Sequence, residues 1–363
     1  MTITATSRVM GLVIAAYIAS LPCHAQAAEA PSHFAIVQAV LDKHVLPRFQ
    51  ALEVSAAKLP AGVNDVCANG DDGAREGLIG SFRRVVGDWA AVDYLRFGPM
   101  AAGGRRERFS FWPDPRGVMA RQLRQLIASK DLKAIEGGAI SKQSAAVQGL
   151  PALEVLLQDK EVPLGPGDAA SYRCALAKAI AENLAGLALE INEGWSTPNG
   201  WKDKMLRPGS DNDTYKEPSE AAGEFVKALL TGMQILGDVE VKPFLEATKD
   251  KPASGAFMKS GLSDVYYESG AASLKSLYDS MNLETYLAED KSWIKHWADG
   301  AWRVILTSNG SGGVAASAAD VKKDDAPPLK ELHARIGGLR QLIGKEMASA
   351  AGLAVGFNEL DGD

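Results

Sequence analysis

The chain has 363 residues and a formal net charge of −6, with 46% hydrophobic, 23% charged and 7% aromatic residues. That length carries a full hydrophobic core and suggests about two domains, while the composition excludes a disordered, collagen-like or disulfide-dense chain. No basic domain stands out, which argues against nucleic acid as a partner, and few aromatics beside many Ala, Leu, Glu and Lys lean the chain toward helices.

Residues 1–27 read as a secretory signal. Arg8 supplies the basic start, Val9 to Ala19 the apolar stretch, and Ala25-Gln26-Ala27 the small-x-small cleavage pattern. The stretch is well short of the ~20 apolar residues a bilayer span needs. Pro22 argues against lipid attachment at Cys23, because a small residue normally precedes an acylated cysteine. Cleavage removes Arg8 and no acid, taking the −6 to −7. No later segment has the uninterrupted apolar length of a membrane span, so the exported chain is expected to be soluble. Cys67 and Cys174 then remain, and an even pair in an exported chain reads as a disulfide. The alternative is two unpaired thiols.

Apolar residues recur at helical spacing along the rest of the chain. Phe34, Val37, Val40, Leu41 and Val45 line a first helix, with Pro47 as a possible kink. Leu78, Phe82, Val85, Trp89 and Val92 mark a second, and Leu123, Leu126 and Ile127 a third, opened by Pro115. The run 143–158 reads as a fourth. A long fifth opens near Asp168 and carries Leu176, Ile180, Leu184, Leu187 and Ile191. Phe225 to Val239 form a sixth, followed by shorter helices around Leu274 and Trp297 and a last one from Leu329 to Ile343. Strand signals are confined to Val162–Leu164 and the C-terminal tail. The polar, Pro/Gly-rich stretch 196–219 is the best domain boundary, and the low-complexity stretch 308–328 reads as a mobile loop. The expected fold is all-α, with helical bundles over 28–210 and 211–363 and a site at their interface.

The familiar catalytic signatures H-E-x-x-H, C-x-x-C, G-x-x-x-x-G-K-[ST] and G-x-S-x-G are missing. Gly165 to Ala170 formally fits a dinucleotide fingerprint but follows no convincing strand, and reads as a turn into the fifth helix. The four histidines left after export, His33, His44, His296 and His333, do not stand at metal-ligand spacing and read as surface or helix-end residues.

Two segments are unusual. In the first, Gln148 to Leu157 is apolar nearly all round yet contains Glu154, a costly residue to bury unless it is paired or binds a cation. With Gly149 and Pro151 loosening the backbone, this reads as a binding site. The competing reading is a helix start at Gly149-Leu150-Pro151, with Glu154 in the first turn facing the helix dipole. In the second segment, Asp88 to Arg116, Trp89, Asp93 and Arg96 share one helix face. Phe109, Phe111 and Trp112 then lead into Pro113-Asp114-Pro115-Arg116. Aromatics interleaved with ion pairs suit a pocket wall, and Arg96 or Arg116 is the candidate partner of Glu154. The competing reading is an ordinary helix-connecting loop.

With these residues in view, the sequence resembles the imelysin family, also called peptidase M75-like or iron-regulated protein A-like. The likeness runs through HVLPRFQALEVSAAKL, FWPDPRG, RCALAKAIAENLAG and the closing GLAVGFNELDGD, covering essentially the whole mature chain. It implies an all-α fold of two helical domains with a site between them. The family signature G-x-H-x-x-E aligns with Gly149 to Glu154, and Pro151 takes the place of the histidine. Proline can neither ligate a metal through its ring nor transfer a proton, so peptidase activity is not expected.

The signal, the family's iron association and the departure at Pro151 together suggest an exported, non-catalytic periplasmic protein, with outer-membrane association left open. It would serve iron or other metal uptake, with envelope or iron-uptake proteins as further partners. The expected ligand-binding residues are Gly149, Pro151, Glu154, Trp112, Asp114, Arg116, Asp93 and Arg96. Glu154 is the candidate metal ligand, for iron or another divalent or trivalent cation; hard oxygen donors of this kind suit iron(III) or calcium. The alternative functions are a helical protein-interaction module and, more remotely, a metallopeptidase.

Overall fold

The computed structural model describes residues 1–2, 30–250, 252–308 and 327–354. Residues 3–29 of the expected signal region, nearly all of the 308–328 segment and the last residues of the tail lie outside them. Among the described residues all regular structure is helical, so Val162–Leu164 forms no strand.

Helices α1 (His33–Val40) and α2 (Leu46–Ala56) are joined by a π-helical turn over Leu41–Val45. Pro47 directly follows this π-helical turn, in a helical stretch that runs on from α1. Helices α3 (Leu59–Asn69) and α4 (Asp72–Ala90) follow, and the side chain of Asp71 caps α4 by accepting from Ala74 N at 2.8 Å. α4 ends at Ala90, earlier than its apolar spacing suggests, so Asp93 and Arg96 lie beyond the helix rather than on its face. The reason is local: the Val92 and Asp93 amides both turn back to Trp89 O.

Short α5 (Arg105–Phe109) and α6 (Val118–Ser129) precede α7 (Leu150–Gln158), which is shorter than the run 143–158 suggests. The long α8 (Asp168–Ser196) buries Leu176, Ile180, Leu184, Leu187, Ile191 and Trp195 and packs against α2 and α3. Full burial of each such aliphatic side chain contributes ~1.5–3 kcal/mol. Cys67 on α3 and Cys174 on α8 form a disulfide across that packing.

Beyond the short α9 (Trp201–Leu206) lie α10 (Pro218–Gln234) and a π-helical stretch over Ile235–Val241, continued by α11 (Lys242–Leu245). The described chain closes with α12 (Ser263–Met281), α13 (Trp293–Thr307) and α14 (Pro327–Leu342), the last leading into a π-turn and a final helical turn. The predicted boundary near residue 210 falls in the connection between α9 and α10. Across it, α1 packs on α10 and α12, and α4 on α12, so the buried apolar residues form one continuous cluster.

His44 departs from its expected surface position. The π-turn rotates it inward, where it is fully buried and its Nε2 lies 2.6 Å from Tyr94 Oη. Burial, with the Arg48 charge adding to it, pushes the imidazole pKa down to about 2, so His44 is neutral.

Candidate functional site

Three segments meet beside Glu154. The first is the Phe109–Gly117 connection. Its Trp112–Pro113 peptide is cis, and Asp114 turns back to cap α6, accepting from Val118 N at 2.9 Å and Met119 N at 2.8 Å. The second is the start of α7. Gly149 is extended there, and a Cβ at this position would stand 2.3 Å from the Phe109 carbonyl oxygen. Only glycine permits that approach of two backbones. Pro151 sits in the first turn, so it opens the helix instead of kinking it. Glu154 falls in the second turn, outside the reach of the orphan amides that a first-turn acid would meet.

The third segment is the connection 252–262, which lies between α11 and α12. Phe257 is held there at φ 56°, in the left-handed region that costs a bulky residue ~1–3 kcal/mol. Its ring packs against Phe82 and Tyr266, and its carbonyl accepts from Leu262 N. The connection then places Ser260 on Glu154, whose Oε1 accepts from Ser260 N at 2.8 Å and Ser260 Oγ at 2.7 Å. Glu154 is 6% exposed. Burial pushes its carboxyl above the usual range, opposed by the Ser260 bonds and the nearby Lys259.

Between these segments lies a cavity of about 300 Å³. Phe111, Trp112, Met119, Pro151 and Met258 form its apolar walls, and Asp114, Glu154 and Lys259 are its charged lining. The structure therefore gathers Trp112, Asp114, Pro151 and Glu154 around one space. Gly149 acts one step behind, by letting α7 approach. Arg116 is exposed on the turn before α6 and does not reach Glu154. Arg96 faces Asp93 instead, with NH2 4.0 Å from Oδ2. The expected arginine partner of Glu154 is thus replaced by Ser260, because α4 ends too early to aim Arg96 at α7.

Asp93 anchors the wall behind Trp112. It is 3% exposed, and its Oδ1 accepts from Arg106 Nε at 2.8 Å and its Oδ2 from Tyr266 Oη at 2.7 Å. Burial alone would raise its pKa, but the Arg106 and Arg96 guanidiniums outweigh that and hold the carboxyl below the usual range. Arg106 also donates to Trp112 O at 3.1 Å, tying the buried pair to the cavity wall.

Besides Ser260, sequence reasoning missed Glu240, on the π-stretch after α10. It is 3% exposed, with Oε1 accepting from Trp112 Nε1 and Oε2 from Ala256 N, both at 3.4 Å. Burial raises its pKa to about 7, with Asp93 adding to the effect and the two hydrogen bonds opposing it. Its signal in the sequence is faint: a single acid between Val239 and Val241, in a helix that otherwise reads as apolar on that face. The same π geometry that turns His44 inward does so for Glu240, and π-bulges are frequent at functional sites.

Among the described residues there is no group of three or more His, Cys, Asp and Glu placed to hold a metal ion. No helix among them is long and apolar enough to cross a membrane.

A family model described as Imelysin matches residues 45–302. An imelysin-like protein from Psychrobacter arcticum 273-4 superposes with a TM-score of 0.73 at 19% identity, covering 90% of this chain and 97% of its own. A candidate iron-regulated protein A precursor from Parabacteroides distasonis ATCC 8503 superposes with a TM-score of 0.67 at 13% identity, covering 89% and 96%. No curated protein matches.

Proposed function

Because this chain belongs to the imelysin family, we propose that it is an exported, non-catalytic binding protein that serves iron or other metal uptake and holds a small ligand in the cavity beside Glu154. The observation that carries the reading is the cavity itself: about 300 Å³, apolar-walled, with a few convergent polar groups, as small-molecule sites are built. The iron connection comes from the name of one structural neighbour and is carried over here as part of the proposal.

The donor set does not suit a directly coordinated ion. Pro151 stands where the family signature has histidine, Glu154 Oε1 is taken up by Ser260, and both Asp114 oxygens cap α6. Two separated carboxylates fall short of the ligand count that iron or calcium requires. The ligand is therefore a molecule, and any metal would arrive already chelated.

Native mass spectrometry and elemental analysis of the protein isolated from the periplasm test this. The expected result is one small molecule per chain, lost in Pro151→Trp, which fills the cavity. Recovery of the chain from the cytosol, no retained molecule together with no thermal shift on adding apolar probes, or a bare metal ion at one per chain would overturn it.

A further inference from the structure

The cavity also has an electrostatic sign, and this inference rests on the ligand-binding reading above. We propose that its ligand is a small organic cation, an ammonium or guanidinium group carried on an apolar or aromatic body.

Three observations converge on that class. The first is the wall chemistry. Phe111 and Trp112 bring aromatic rings to the cavity, and Met119 and Met258 bring polarizable thioethers, a combination that holds alkylammonium groups through ring quadrupoles and dispersion. The second is charge. Asp114 and Glu154 are both on the lining, against one cation, Lys259, whose side chain stands exposed at the rim. Arg106, which donates to the Trp112 carbonyl, is already paired with Asp93, so an anionic ligand would meet two carboxylates with no buried cation on the described lining to receive it.

The third observation is how Trp112 is held. Its indole N–H points at the Glu240 carboxyl and its carbonyl accepts from Arg106. In its ionised form Glu240 pushes electron density through the indole N–H into the ring, which strengthens the attraction of Trp112 for a cation on the cavity side. The ring is also fixed before a ligand arrives, so little ordering is needed on binding.

Isothermal titration calorimetry on the native chain with 2-phenylethylammonium, 2-phenylethanol and phenylacetate tests the assignment, since the three share one body and differ in head charge. The ammonium should bind about tenfold more tightly than the alcohol, and the acetate more weakly than either. In Glu154→Gln the ammonium should lose about fivefold while the alcohol is unchanged. Equal affinity for ammonium and alcohol, or a preference for the acetate, would overturn the charge assignment and leave the ligand-binding reading standing. If none of the three binds or alters tryptophan fluorescence, both fail.

Discussion

Ser260 closes on Glu154 from two directions at once, its amide at 2.8 Å and its hydroxyl at 2.7 Å from the same carboxylate oxygen. The contact spans 106 residues of sequence and fastens the 252–262 connection to α7, so one wall of the cavity depends on it. Hydrogen bonds to charged groups contribute ~1.5–3 kcal/mol when buried. Ser260→Ala removes the hydroxyl and keeps the amide, so the expected loss is about 1–2 kcal/mol in urea unfolding. An unchanged midpoint would show that the hydroxyl adds nothing to what the Ser260 amide already contributes.

Glu240 makes stability depend on pH. Its folded pKa of about 7 lies above the ordinary glutamate value of 4.5, so between those values the folded chain binds more protons than the unfolded one. Stability from this group is fully present below about pH 4.5 and is lost as pH rises toward 7. Glu240→Gln removes the titration. Relative to the native chain the variant should gain up to about 3 kcal/mol between pH 4.5 and 8, most of it by pH 7. Parallel denaturation curves across that range read the difference directly, and a pH-independent gap would mean that Glu240 does not titrate there.

The Asp93–Arg106 pair should be costly to break from one side. Arg106→Ala leaves a buried carboxylate with only Tyr266 and the more distant Arg96, and uncoupled buried charges cost ~3–5 kcal/mol. Thermal unfolding should show the loss. Because Arg106 also holds the Trp112 carbonyl, near-ultraviolet circular dichroism should change as well. A variant with native stability and an unaltered tryptophan signal would contradict this.

Gly149 is required by space rather than by backbone angle. It is extended at φ −114°, yet an added methyl would enter the Phe109 carbonyl. Gly149→Ala must therefore push α7 away from α5, at a cost of about 1–3 kcal/mol typical of overpacking. Chemical denaturation checks the magnitude, and a neutral substitution would show that the two segments part easily.

The Cys67–Cys174 bridge closes 107 residues. In the chain-entropy model a loop of that size stabilises by ~4–5 kcal/mol, less any strain. Reduction, or the double change Cys67→Ser with Cys174→Ser, should lower the unfolding midpoint by a corresponding amount. Equal midpoints with and without reductant would indicate that the denatured chain is already restrained.

Periodicity alone determined the helical class and most of the helices, because a buried stripe must recur every 3.6 residues wherever the helix packs. Pairing of Cys67 with Cys174 was equally legible, since only two cysteines remain once Cys23 is assigned to the expected signal. Glu154 stood out because an acid among continuous apolar neighbours needs a partner, and Trp112, Asp114 and Pro151 were marked by their local composition. What those residues do for one another was not legible. Where α4 ends decided that Arg96 serves Asp93, and the close approach of α7 to Phe109 explained Gly149. Ser260, Glu240 and His44 acquire their meaning from groups as far as 106, 128 and 232 residues away. A polar side chain is affordable in a core only through the donors and acceptors that other elements bring to it, and no local window of sequence contains them.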